Sequence, residues 1–224
     1  MQYEAVKQAV FLERPNRFVA YVDLNGVKTV CHVKNTGRCR ELLVPGATVY
    51  LEHGAGEHRK TQWDLIAVEK GKKLINMDAQ APNRVFAEFA SRFEPAVLAV
   101  HPEVRIGESR LDFCMDLPHG LHYVEVKGVT LEEDGRTFFP DAPTERGIKH
   151  LHELIRLRRE GHTATAFFVI QMEGVVSFSP NDRTHPGFGE ALRLAAKEGV
   201  QIAAYCCRVA PDSLQIDRPV PIVL

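Results

Sequence analysis

Apolar positions in the first third of the chain come in short runs broken by turn residues, the spacing of strands and not of helices. Residues 9–12 and 18–24 are apolar runs. Asn25-Gly26 follows, a dipeptide that suits a type I′ hairpin, and 27–33 alternates after it. Pro45-Gly46 marks a turn before 47–51, and 63–68 and 72–77 complete the set. Five or six strands in about 75 residues, with little helical periodicity, predict a small closed barrel, OB-like as first choice and SH3-like as second.

Near Ala81-Pro82 the period changes. Val85, Phe86, Phe89 and Phe93 recur at helical spacing, which predicts a helix starting near Asn83 and ended or kinked by Glu94-Pro95. A short strand is expected at 104–106. Leu111, Phe113, Met115 and Leu117 then alternate with Asp112, Cys114 and Asp116. Pro118-His119-Gly120 turns the chain, and 121–129 returns as the partner strand. Residues 145–160 form an amphipathic helix with Ile148, Leu151, Leu154 and Ile155 inward and Gly161 as its stop. A buried strand at 164–170, a helix at 188–197, a strand at 200–209 and an extended tail at 214–224 finish the chain. The expected organisation is α+β or α/β in two domains: an OB-like β-barrel over 1–82, then an α/β domain over 83–224 whose mixed sheet is flanked by helices.

Composition changes this picture little. With 45% hydrophobic and 25% charged residues the chain has the makings of an ordinary folded core. The net charge of −1 denies it the overall basic character of many nucleic-acid binders, so any such binding has to use a local patch. The charge is unevenly divided. Residues 1–80 carry 12 Lys and Arg against 9 Asp and Glu, and the remainder carries 16 against 20. An acidic second part that still meets a polyanion calls for metal ions to offset its carboxylates. The five cysteines are odd in number, form no CxxC and lie in apolar runs, which reads as reduced core thiols and fits the cytoplasm. The start has no leader-like apolar run, and no segment reaches the length a membrane helix needs.

The candidate chemistry sits on the hairpin. Side chains on a strand alternate, so Glu125 and Lys127 share one face, and Asp112 stands on the neighbouring strand. Two carboxylates from adjacent strands can converge on a hard divalent ion such as Mg²⁺ or Mn²⁺, with Val126 between them as a further ligand. Lys127 beside the metal could orient a nucleophile or stabilise charge on a phosphate. An Asp, a hairpin and then Glu-x-Lys is the spacing of the PD-(D/E)xK phosphodiesterases, although Leu111 stands where that signature has Pro. The plainer alternative is a solvated strand face with a cross-strand ion pair. Glu103 is the favoured third carboxylate and Glu88 the second choice. Arg146, Lys149 and His150, spaced i, i+3, i+4, share one helix face and could contact phosphate.

The chain also resembles the sugar fermentation stimulation protein A family nearly from end to end. The blocks that carry the resemblance are Arg14-Pro15-Asn16-Arg17-Phe18, His32 with Asn35-Thr36-Gly37-Arg38, and Glu41-Leu42-Leu43 with Pro45-Gly46. They continue through Ser109-Arg110-Leu111-Asp112-Phe113, Glu125-Val126-Lys127-Gly128-Val129-Thr130-Leu131, and Phe139-Pro140-Asp141-Ala142 to Lys149-His150-Leu151. The resemblance implies an OB-like domain joined to a PD-(D/E)xK nuclease-like domain, non-specific DNA binding, and a regulatory link to sugar (maltose) metabolism.

In the barrel, Arg14, Asn16 and Arg17 lie in one turn, and His32, Asn35, Thr36, Arg38 and Arg40 in and beside a second loop. These residue types suit phosphate contacts, and Asn, Thr and Gly are equally ordinary turn formers. Phe18, Tyr21, Tyr50 and Trp63 are candidate stacking rings, most of them expected inside the barrel. Three functions follow from these readings. The first is a metal-dependent nuclease with Asp112, Glu125 and Glu103 on Mg²⁺ or Mn²⁺ and Lys127 assisting. The second is a non-catalytic DNA-binding regulator on the same fold. The third is a sugar or nucleotide enzyme, which no P-loop or Rossmann-type Gly-rich loop supports. DNA is the expected partner, no membrane is involved, and a homodimer is left open.

Overall fold

The computed structural model describes residues 1–35, 37–54, 59 and 61–224. Its first strands are β1 Val6–Asn16, β2 Val19–Leu24, β3 Val27–Val33, β4 Thr48–His53 and β5 Trp63–Lys70. They pair antiparallel in the order β3-β2-β1-β4-β5, and a parallel β3–β5 pairing closes the ring. That strand order makes it a five-stranded OB-like barrel. The β2–β3 hairpin turns at Asn25 and Gly26, whose φ values of 56° and 81° are both in the left-handed region that a type I′ turn demands. Period-2 alternation puts Ala9, Phe11, Ala20, Val22, Cys31, Val49 and Leu51 inside the barrel and leaves Val10 and Leu12 outside.

A sixth strand, β6 Lys73–Asn76, lies on β5 and leads into the second domain. There α1 Ala81–Phe93 precedes a meander of β7 Ala99–Ile106, β8 Ser109–Leu117 and β9 Gly120–Val129. Then come β10 Leu131–Glu133, β11 Arg136–Phe139, α2 Glu145–Arg159, β12 Thr163–Ile170, β13 Ser177–Pro180, α3 Pro186–Lys197, β14 Gln201–Ala210 and β15 Ser213–Pro219. The main sheet runs β15-β14-β12-β9-β8-β7, antiparallel at both edges and parallel where α2 and α3 make the crossovers. Val124 and Val126 of β9 and Phe167 of β12 pack under α1 through Val85, Phe86 and Phe89. Tyr123, Val129 and Phe168 face the other way, toward Leu151, Leu154 and Ile155 of α2. The central strands are therefore apolar on both faces, which is why 164–170 reads as an unbroken apolar run.

Two features were not anticipated from the pattern. A small sheet, β10-β11-β13, forms beside the barrel, and the short strand expected at 104–106 extends to all of β7. Glu132 of β10 ties this small sheet to the barrel. Its carboxylate accepts from Lys70 Nζ at 2.8 Å, Lys73 Nζ at 2.7 Å and the Gly135 N–H at 2.6 Å. Burial disfavours the charge, but the two lysines and the Gly135 amide outweigh it and lower the Glu132 carboxyl to about 2. A depressed carboxyl adds stability above its unfolded value of about 4.3 and loses it as pH falls through the folded value. Glu132→Gln should therefore cost ~1–2 kcal/mol at neutral pH, below the full conversion because both lysine heads reach water. Urea titrations should show this difference shrinking below about pH 4 and vanishing near pH 2. A difference independent of pH would remove the ion network as its cause.

All five cysteines are buried as free thiols, and burial pushes Cys31 and Cys39 up to about 12. No helix is long and apolar enough to cross a membrane among the described residues.

Candidate active site

The β8–β9 ladder pairs Leu117 with Gly120 and continues to Phe113 opposite Val124. At the next step the backbone pairing gives way to a side chain: the Val126 N–H donates to Asp112 Oδ2 at 2.8 Å. Asn83 Nδ2, in the first turn of α1, donates to Asp112 Oδ1 at 2.9 Å. Asp112 thus joins the strand pair to the helix above it. Its carboxyl is nevertheless raised above the ordinary range, first by burial and then by the charge of Glu125.

Glu125 is 2% exposed and points to the α2 side of the sheet. Lys127, on the same strand face, and His150, on α2, both engage its Oε1. His150 Nε2 in turn lies 3.4 Å from Arg146 Nε, which can only donate, and its Nδ1 faces the Glu125 carboxylate. Burial opposes the Glu125 charge, but the His150 hydrogen bond and the Lys127 ammonium outweigh it, so this carboxyl stays below its ordinary range. Glu125 Oε2 is buried with no hydrogen-bond partner among the described residues. A buried, ionised carboxylate oxygen with nothing donating to it is costly. Beside a second carboxylate that it repels, it fits a bound cation.

Gly128, directly after Lys127, marks a close approach. A Cβ there would meet Gln171 Oε1 at 2.5 Å and Pro82 Cγ at 2.7 Å. Gln171 is held by Asn76 Oδ1 at 2.8 Å and the Asp78 carbonyl at 3.0 Å, so the residues joining the two domains buttress the strand that carries Glu125 and Lys127.

The remaining expected residues are distributed as follows. Glu103 is exposed on β7 and faces Arg110 at 3.6 Å, and Glu88 binds the N-terminal ammonium at 2.6 Å, so neither joins Asp112 and Glu125. Lys149 lines an open groove with Ser109, Glu153 and Arg156, whereas His150 is buried. In the barrel, Arg14 donates to the carbonyls of Arg17, Asn35, Gly37 and Arg38 at 2.7–2.9 Å. Asn16 Oδ1 caps the Phe18 and Val19 amides, and Asn35 Oδ1 caps that of Gly37. His32 Nδ1 lies 3.3 Å from buried Asp64. Arg14, Asn16 and Asn35 therefore build the loops, whereas Arg17 and Arg38 project from them. Thr36 lies outside the described residues. Together the loops enclose a cleft of about 620 Å³ lined by Arg14, Arg17, Arg38 and Arg40, with Gly37 and Ala142 at the border with the second domain. A separate, smaller cavity of about 110 Å³ is lined by Asn35, Asp141, Gly128 and Gln171.

Comparison with known proteins agrees with this two-part architecture. Residues 12–77 match the profile described as the SfsA N-terminal OB domain, and 80–213 match the sugar fermentation stimulation protein RE domain. A sugar fermentation stimulation protein homologue of Desulfitobacterium hafniense is 50% identical over 96% of this chain and 95% of its own. One from Clostridium perfringens is 51% identical over the whole of both chains. The chain belongs to the sugar fermentation stimulation protein family. SfsA from Pyrococcus furiosus, solved in complex with Ca²⁺, superposes with a TM-score of 0.90 at 29% identity, covering 100% of this chain and 98% of that one.

In this family member the roles of Asn83, His150 and Gln171 emerge only in the tertiary structure. For His150 a signal was present: it falls on the same helical stripe as Leu151, Leu154 and Ile155, which turns it inward toward the sheet. Asn83 and Gln171 carry no comparable pattern.

Proposed function

We propose that this protein binds nucleic acid in the arginine-lined cleft of its barrel and hydrolyses phosphodiester bonds at Asp112, Glu125 and Lys127 with a divalent cation. The observation that carries the reading is the unpartnered Glu125 Oε2, buried beside a second carboxylate whose ionisation Glu125 itself disfavours. The ligands would be Asp112, Glu125 and the Val126 carbonyl. Few protein ligands with water completing the shell is the habit of Mg²⁺, and the Ca²⁺ of the Pyrococcus furiosus relative supports a hard divalent ion. When bound, such an ion polarises the phosphate and lowers the pKa of a coordinated water.

The chain's own groups do the rest. His150 fixes the Glu125 carboxylate by holding Oε1, which leaves Oε2 free to face the ion. Asn83 and the Val126 amide orient Asp112. Lys127, already against Glu125, places an ammonium where charge grows on the phosphate oxygens. The arginines of the barrel cleft hold the neighbouring phosphates, and Lys and Arg contacts of this kind dominate affinity without reading sequence.

A binding-only protein is the second reading. It is favoured by one observation: Glu103 and Glu88 are engaged by Arg110 and the N-terminal ammonium, so neither adds a third carboxylate to Asp112 and Glu125. The two readings part in one experiment. With Mg²⁺ or Mn²⁺, the protein should cleave labelled DNA, and Lys127→Ala should lower the rate by on the order of 10²–10³-fold while binding is unchanged. Binding without cleavage under either metal would leave the regulator.

A further inference from the structure

The barrel's aromatic residues divide between inside and outside. Trp63 is 8% exposed and buried in the barrel. Phe18 is 51% exposed and directly follows Arg17, which lines the arginine cleft. A lone exposed apolar side chain is ordinary on a protein surface, but this one is not on a loose segment. Its N–H is held by Asn16 Oδ1 at 2.9 Å, its carbonyl accepts from the Val33 N–H at 2.8 Å, and the Arg17 carbonyl just before it is clamped by Arg14 at 2.7 Å. The backbone is fixed and the ring is presented outward. The Arg17 guanidinium lies over the ring at 5.9 Å, and Arg38 and Arg40 flank the same cleft. None of Arg17, Arg38 and Arg40 pairs with a carboxylate among the described residues, and the one acid in the lining, Glu13, is engaged by Lys28 at 2.9 Å. The cleft is thus a local excess of positive charge on a chain whose net charge is −1.

We infer that the barrel takes an unpaired strand of nucleic acid, with Phe18 stacking on a base and Arg17, Arg38 and Arg40 holding the phosphates around it. The inference rests on the nucleic-acid reading above and sharpens it. A duplex offers phosphates and groove edges but keeps its base faces stacked on one another, so it has no use for a rigid outward ring. A single strand offers both phosphate and π-face, and a positive groove with an aromatic platform is the combination that binds it. The cleft is bordered by Gly37 and, from the second domain, Ala142, so a strand seated on the barrel lies at the domain junction.

The test uses the full-length chain without added metal, and fluorescence anisotropy on labelled oligothymidylate and on a mixed-sequence duplex of equal length. Wild type should bind the single strand roughly tenfold or more tightly than the duplex. Phe18→Ala should weaken single-strand binding roughly 5- to 100-fold, one lost base stack, and leave duplex binding within about twofold. Phe18→Trp should keep single-strand affinity, with its emission quenched on binding, and so separates stacking from any loss of fold. Equal or tighter duplex binding, or an equal loss for both ligands in Phe18→Ala, would overturn the single-strand inference and leave nucleic-acid binding standing. Binding of neither ligand by wild type would overturn both.

Discussion

Replacing Asp112 with asparagine is expected to remove metal-dependent cleavage by on the order of 10³-fold while making the metal-free protein more stable. The substitution is nearly isosteric. An amide oxygen still accepts from the Val126 N–H, and Asn83 can turn its own amide to meet the new NH₂ group. What disappears is the charge. In the metal-free protein that charge is unfavourable, because it is buried and faces Glu125, and both raise the Asp112 carboxyl. A group whose folded value is raised destabilises the fold once pH exceeds its unfolded value, so removing it helps at neutral pH. With the charge gone, one of the two anionic ligands for a hard cation is gone as well. Thermal melts with and without MgCl₂ check this. Wild type should gain melting temperature from the ion, and Asp112→Asn should start higher and gain nothing. A metal-free variant that melts below wild type would show that the Asp112 charge is stabilising without the ion, which removes the electrostatic argument.

The largest expected loss of stability from a single added methyl is at Gly128. Alanine there brings its Cβ to 2.5 Å from Gln171 Oε1 and 2.7 Å from Pro82 Cγ. Neither neighbour can yield easily: Gln171 is anchored to Asn76 and Asp78, and Pro82 is a rigid ring in the first turn of α1. The backbone at Gly128 is not in the left-handed region, so the cost is steric and not conformational. Overpacking of this kind costs about 2–3 kcal/mol, or about 5–10 °C in a chain of this size. Gln171→Ala removes one of the two clashes, so the Gly128→Ala/Gln171→Ala double variant should lose less than the sum of the single losses. Strict additivity would mean that the Pro82 contact, or a shift of the whole strand, absorbs the methyl. The position matters for function because the peptide that would move is the one that follows Lys127.

The fold was legible wherever local periodicity decides structure. Asn25-Gly26 sets a hairpin because both residues accept positive φ, and the register of β2 on β3 follows from that turn. The stripes of α1, α2 and α3 follow from 3.6-residue spacing, and their observed limits fall within a few residues of those read from the sequence. Asp112 opposite the Glu125 strand was legible for the same reason, since a short turn between two alternating strands leaves little freedom in what faces what. The small sheet β10-β11-β13 was not legible. Its strands are three or four residues long, and β13 joins from about forty residues downstream, so no local pattern announces it.

By itself, then, the chain's amino-acid order determined two domains, their element types and the placing of two carboxylates and a lysine on one hairpin. Tertiary structure decided which outside groups reach them. His150 comes from a helix 25 residues on to hold Glu125, and Asn83 from a helix 29 residues earlier to hold Asp112, while Glu103 and Glu88 are turned to other partners. It also decided that Phe18 faces water and Trp63 the barrel core. The physical reason is range. Backbone geometry dictates which side chains share a face over a few residues, but which faces meet depends on how all the elements bury their apolar surface at once.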